Sequence, residues 1–294
     1  GFGSTGSSVV TDYLYEFNNI KVPYRDDEVR FLYEFGGIST LESIIVDNPS
    51  RQNSDYAILL FKRMIDYYSG DRFNRRYNTF LNGKFEELSN TFLDKVIEVS
   101  WRGQRELDFL IDSKIDTYYK KIWPRLKAYF HMDKKNLAKY RPEREMHYSG
   151  INQADFLKCV VNYTNSLFDE VDPDFSYEYL YFDQLAPCCN INRILRYVNN
   201  LRVVVVDRDP RDQYIESVLG HGEKFHPHDI DKFIIFYKKL RETAEKDGES
   251  SNVLRVRFED CIYHYDDTFA KINSFLGLDE AQHILPKSKF NPDI

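Results

Sequence analysis

GFGSTGSS, residues 1–8, decides how the rest of the chain is read. Gly1 and Gly6 stand five apart, and hydroxyls follow at Ser7 and Ser8, where a phosphate-cradling loop carries Lys and then Ser or Thr. The Lys is missing. The glycines and hydroxyls let the backbone turn its N–H groups inward around an anion, and a following helix adds the partial positive charge of its N-terminus. Val9, Val10, Tyr13, Leu14 and Phe17 recur at helical spacing directly after the loop. That unbroken start sets aside a flexible Gly/Ser tail. A loop of this kind also follows a β-strand; either such a strand precedes Gly1 or the site is incomplete.

With 294 residues, 42% of them hydrophobic and 16% aromatic, the chain suffices for one large α/β domain or two small ones. No apolar run approaches the roughly 18 to 20 residues that span a bilayer, so no transmembrane segment is expected, and no signal peptide is visible. Cys159, Cys188, Cys189 and Cys261 show no CxxC spacing. Neither a disulfide framework nor a zinc site is indicated, which points to a reducing, cytoplasmic setting. A net charge of -7 and a pI near 5.6 argue against binding long nucleic acid.

Residues 20–23 read as a second strand that ends in a charged run containing Asp27, Glu28 and Arg30. In a parallel sheet, ligands are met after a strand's carboxyl end. Such a run is ordinarily a solvated loop, and the neighbouring phosphate loop makes Glu28 a candidate base. Arg30 is two residues on and, in extended backbone, points the same way.

Residues 56–68 place Ala57, Leu60, Phe61, Met64, Ile65 and Tyr68 on one helical face. Residues 69–150 read as a helical insertion, in which Ile115, Tyr119, Ile122, Leu126 and Phe130 recur at helical spacing and Pro124 predicts a kink. Residues 116–147 carry nine Lys or Arg against four Asp or Glu, and residues 169–183 six acids and no base. Taken singly, each is an ordinary solvated face.

Phe156, Val160, Tyr163 and Leu167 mark another helix, residues 177–182 a strand ending at Asp183 and Gln184, and residues 191–198 a short helix. Four consecutive valines make residues 201–206 the clearest buried strand. Asp207, Arg208, Asp209, Pro210, Arg211 and Asp212 crowd its carboxyl end, and Pro210 suits a helix's first turn. Arg208 is placed to grip a phosphate bidentately, unless its flanking aspartates consume it. His221, His226 and His228 read as loop histidines without a metal-ligand pattern. A helix over 230–240, a strand over 253–258 and a helix burying Phe269, Ile272, Phe275 and Leu276 complete the alternation of a doubly wound sheet. Residues 285–291 read as a mobile tail or a ligand-covering loop.

Taken in order, these stretches resemble the sulfotransferases that use 3'-phosphoadenosine 5'-phosphosulfate. GFGSTGSS resembles the family's 5'-phosphosulfate loop, and VVVVDRDPRDQYIES (203–217) its 3'-phosphate strand, loop and helix. RFEDCI (257–262) with FLGL (275–278) resembles its late strand and helix, and KSKFN (287–291) its final nucleotide loop. The resemblance implies an α/β fold, with a P-loop-like parallel sheet flanked by helices. That is a single domain over residues 1–294, with the helical insertion at about 69–150 unmatched. It implies that Gly3, Ser4, Thr5, Gly6, Ser7 and Ser8 form the 5'-phosphosulfate loop, and that Arg208 and Ser217 serve the 3'-phosphate. Phe258 stands where the family often has a nucleotide-side Tyr, Lys287 and Ser288 fall in the final loop, and Glu28 is similar to the base of the Glu-using branches.

Two departures stand out. Ser4 occupies a position where the family commonly has Lys or Arg, so Arg30 becomes the candidate leaving-group cation, and Ser217 lies nine residues after Arg208 instead of eight. The co-substrate implied is 3'-phosphoadenosine 5'-phosphosulfate without a metal, and the acceptor a hydroxyl of a glycan or a small apolar alcohol such as a sterol or lipid. Two alternatives stay open. A small-metabolite kinase would want Lys at Ser7, and a non-catalytic nucleotide-binding module is favoured by Ser4.

Overall fold

A computed structural model describes residues 2–23, 28–70, 76–105, 108, 112–132, 137–220 and 226–293. The chain runs α1 (Ser8–Leu14), β1 (Ile20–Lys21), α2 (Ile38–Ile45), α3 (Arg51–Ser69), α4 (Arg76–Phe80), α5 (Phe85–Val96) and β2 (Val99–Gly103). Then follow α6 (Lys114–Phe130), β3 (Arg144–Tyr148), α7 (Gln153–Val171), β4 (Tyr179–Leu180), α8 (Ile191–Ile194) and β5 (Val203–Asp207). Last come α9 (Pro210–Tyr214), α10 (Ile230–Glu245), β6 (Val253–Arg257), α11 (Phe258–Tyr263) and α12 (Tyr265–Leu276).

The valines of β5 show why the fold is layered. Val204 and Val206 enter a cluster with Val9, Tyr13 and Phe269 from α1 and α12, while Val203 and Val205 join Phe2, Ile191 and Ala244 on the other face. That is the period-two alternation of a strand covered by helices on both sides. β5 pairs in parallel with β6, from Val203 opposite Val253 to Asp207 opposite Arg257. β1 pairs in parallel with β4, Ile20 opposite Tyr179.

The architecture is therefore mixed α/β with parallel pairing, but the single parallel sheet expected from the sequence is two two-stranded pairs. Among the described residues no strand bonds to the remaining edge of β4 or β5. The pairs are joined instead through their common cover, in which Ile20 and Tyr179 share the cluster of Val206 and Val256. Thr11 Oγ1 and the Tyr181 hydroxyl, 2.8 Å apart, bridge α1 to the end of β4.

A second core lies among α2, α3, α5 and α7, where Phe61, Phe92, Phe156 and Tyr163 are buried together. Tyr77, Phe85 and Leu93, all within residues 69–150, belong to this same core, so the stretch is built into the fold. Nor is it wholly helical. β2 and β3 form an antiparallel ribbon, Ser100 opposite His147 and Trp101 opposite Met146.

α6 begins with a capping box between Ser113 and Asp116 and continues through Pro124. Its inward face holds Pro124, Ala128 and Lys120, whose ammonium donates to Asp108 at 3.1 Å and Asp112 at 2.6 Å. Arg144 locks the same corner, donating to Asp108 and, at 2.6 Å, to the fully buried Asp55 of α3. The apolar stripe read from the sequence faces outward. No helix among the described residues is long and apolar enough to cross a membrane.

Candidate functional site

Residues 2–7 form a tight loop that runs directly into α1. Gly3, Ser4 and Gly6 take left-handed backbone, with φ of 82°, 49° and 71°. At Gly6 a side chain is excluded twice over, since a Cβ there would also stand 2.5 Å from Cδ2 of Phe258. The Val9 N–H donates to the Gly6 carbonyl at 3.1 Å, and that of Val10 to Ser7 at 3.0 Å, so the helix starts as the loop ends. Thr5 is buried, Gly3, Ser4 and Ser7 are half-buried, and Ser8 is exposed.

Residues that carried no signal in the sequence hold this loop from below. The buried Gln213 amide donates to the Gly3 carbonyl at 2.6 Å, and Arg241 donates to its Oε1 at 3.1 Å, which fixes the amide's orientation. The Arg241 guanidinium also lies 4.2 Å from the centroid of the Phe2 ring. Ser217 is on this underside too. Its hydroxyl is buried 2.7 Å from Nδ1 of His226, whose other ring nitrogen is 3.4 Å from the Phe2 carbonyl.

The segment after Arg208 contains a π-helical turn at Ile215–Gly220. Ser217 is turned inward, and Glu216 is left beside Arg208.

Arg208 follows β5 and is not consumed by the two aspartates that flank it. Asp209 is taken by Arg211 at 2.8 Å, and Asp207 by Arg241 at 2.5 Å, while the contact of Arg208 with Glu216 is 3.8 Å, beyond hydrogen-bond length. The Arg208 guanidinium rests instead 4.6 Å from the ring centroid of Phe258, at the start of α11. A guanidinium held by a ring is positioned without spending its donors. The loop, Arg208 and Phe258 thus meet at one place.

Glu28 and Arg30 belong to a different group, at the carboxyl ends of β1 and β4. Arg30 forms an ion pair with Glu28, and the Gln184 amide donates to the other Glu28 oxygen. The Val29 N–H donates to the Asp183 carbonyl at 2.9 Å, and that of Arg30 to the Tyr77 hydroxyl at 2.7 Å. Burial pushes the Asp183 carboxyl above the usual carboxylate range. Arg30 is therefore engaged by the very carboxylate it was expected to work beside. Asp27 and His221, the other residues that could serve as a base in place of Glu28, lie outside the described residues.

Lys287 and Ser288 lie in a segment whose backbone is bound by Glu16. Glu16, fully buried just beyond α1, accepts from His283 Nε2 at 2.7 Å and from the N–H groups of Lys287 at 3.0 Å, Lys289 at 2.7 Å and Phe290 at 3.2 Å. This segment is therefore not a free tail. It is pinned eight residues from Ser8, about 12 Å along a helical path, and the Lys287 ammonium donates to Asp293 at 2.8 Å. Glu16→Ala is expected to release residues 285–291, costing about 1 to 2 kcal/mol, because its donors rehydrate rather than stay buried. Faster amide exchange at Lys287, Lys289 and Phe290 checks this; unchanged exchange would mean the segment is held by its own packing.

A separate polar cavity of about 350 Å³ is lined by Lys62, Asn90, Asp94, Ser100, Glu145 and His147. Nε2 of the buried His147 is 2.9 Å from the Lys62 ammonium and Nδ1 is 2.8 Å from the Ser100 hydroxyl. An ammonium only donates, so Nε2 accepts and Nδ1 carries the proton. Burial first, then Lys62, holds the imidazole below its ordinary range. The unfolded chain therefore takes up this proton first, and stability falls as pH drops below about 6.5 until the folded imidazole also protonates. In melting curves between about pH 7 and 5, His147→Gln should show a shallower decline than the parent. Parallel declines would exclude the imidazole as their source.

Compared with known proteins, the chain matches no family model, no curated protein and no solved structure.

Proposed function

We propose that this chain binds 3'-phosphoadenosine 5'-phosphosulfate and transfers the sulfuryl group to a hydroxyl of a glycan or a small apolar alcohol. One observation carries the proposal. Gly6 of the loop and the guanidinium of Arg208 both lie against the ring of Phe258. An anion cradle, an arginine fork and an aromatic face are what a nucleotide with two phosphate positions requires.

In this proposal the backbone of residues 3–8 holds the 5'-phosphosulfate, Arg208 the 3'-phosphate, and Phe258 lies beside the nucleotide. The acceptor oxygen forms its bond to sulfur in line with the breaking bond to the bridging oxygen, and the 3',5'-bisphosphate departs with that electron pair. Glu28 takes the proton of the acceptor hydroxyl. Arg30 offsets charge on the leaving oxygen once it parts from Glu28, a role the family more often gives to a cation at the position of Ser4. Transfer of this kind depends mainly on positioning and on charge stabilisation, so backbone donors and one or two side-chain cations suffice.

Calorimetric titration with 3'-phosphoadenosine 5'-phosphate and, separately, with ATP and Mg²⁺ tests the reading. Preference for the bisphosphate is expected. Preference for ATP with Mg²⁺ would replace the proposal with a kinase, and binding of neither would end it.

A further inference from the structure

The stripe of α6 is inverted relative to an ordinary surface helix, whose apolar side is turned to the core. Ile115, Tyr119, Ile122, Leu126 and Phe130 share one side and are 79%, 48%, 49%, 47% and 77% exposed. The opposite side, with Pro124, Ala128 and the acid-bound Lys120, rests on the protein. A 17-residue helix carries such a stripe for about 25 Å.

Cations border it. Lys114, Lys121 and Arg125 are exposed, and Lys127 stands over the ring of Trp123 at 5.0 Å, while the acid of this helix, Asp116, is tied into the capping box. This positive charge is local, since the chain as a whole carries -7.

We propose that α6 docks the protein on an anionic lipid surface, lying in the plane of the interface with its stripe among the acyl chains. Aliphatic and aromatic side chains on one face with Lys and Arg along the borders match the interfacial region of such a bilayer. The helix is too short and too charged to span. A second copy fits less well, because two such stripes placed face to face oppose cationic borders to cationic borders. Docking here is independent of the nucleotide site and stands or falls separately from it.

The test is co-sedimentation of the full chain with phosphatidylcholine vesicles, with and without about 30% phosphatidylglycerol. Binding to the anionic vesicles should exceed binding to the neutral ones by at least about tenfold and weaken as salt is raised. Ile122→Glu with Leu126→Glu should abolish it, and Lys121→Glu with Arg125→Glu should reduce it by at least about tenfold. All four residues are exposed, so melting temperatures should be unchanged; if the apolar pair misfolds, the charge pair decides. Equal binding to both vesicle types, no binding to either, or full binding by the charge-pair variant overturns the proposal. So does a wild-type dimer, seen by light scattering, that the Glu variants dissociate, since the stripe would then belong to a second copy.

Discussion

Arg208→Ala is expected to weaken binding of 3'-phosphoadenosine 5'-phosphate by about tenfold to a hundredfold, the roughly 1.5 to 3 kcal/mol of a charge-assisted contact. The fold should tolerate the change. Asp207 and Asp209 have partners of their own in Arg241 and Arg211, so removing Arg208 strands neither carboxylate. What is lost structurally is the contact with Phe258 and a distant one with Glu216, worth on the order of 1 kcal/mol. Arg208→Lys keeps the charge and loses the fork, so it should recover only part of the affinity. Arg211→Ala is the matched control, because that guanidinium is 85% exposed and holds only Asp209. Equal affinities for the parent and Arg208→Ala would remove the 3'-phosphate assignment.

Segments whose periodicity is enforced by burial on a known side were legible in the sequence. Phe156, Val160, Tyr163 and Leu167 are buried along α7, and the valines of β5 alternate between two cores. Periodicity says which residues share a face but not which way that face points. In α6 the spacing was right, and the stripe nonetheless faces solvent, because Lys120 is drawn inward by Asp108 and Asp112. The ribbon of β2 and β3 escaped detection because each strand is only five residues long and carries just two large apolar side chains, Val99 and Trp101 in one, Met146 and Tyr148 in the other.

Spacing singled out the loop residues and Arg208, but not the supports of the loop. Gln213 and Arg241 reach it from α9 and α10, and nothing in their local sequence records that encounter. Glu16 is similar, a lone acid whose partners are mostly backbone N–H groups near the other end of the chain. Ser217 is similar: it lies in a π-helical turn, and its hydroxyl meets His226, nine residues on.

Glu28→Gln should lower turnover by roughly 10² to 10⁴ while leaving bisphosphate affinity nearly unchanged, the pattern of a lost proton acceptor. The half-buried carboxylate is held on one side by the Arg30 guanidinium and on the other by the Gln184 amide. Gln at this position keeps the shape and an acceptor for Gln184 but takes no proton. It also frees Arg30, so the two contributions need separating. Arg30→Ala leaves Glu28 as a base; if Arg30 also offsets leaving-group charge, this variant loses turnover more than donor affinity, and adding Ser4→Lys partly restores it. If Arg30 only orients Glu28, Ser4→Lys restores nothing. Full activity of Glu28→Gln with any working acceptor would reject Glu28 as the base and move the search to Asp27 and His221.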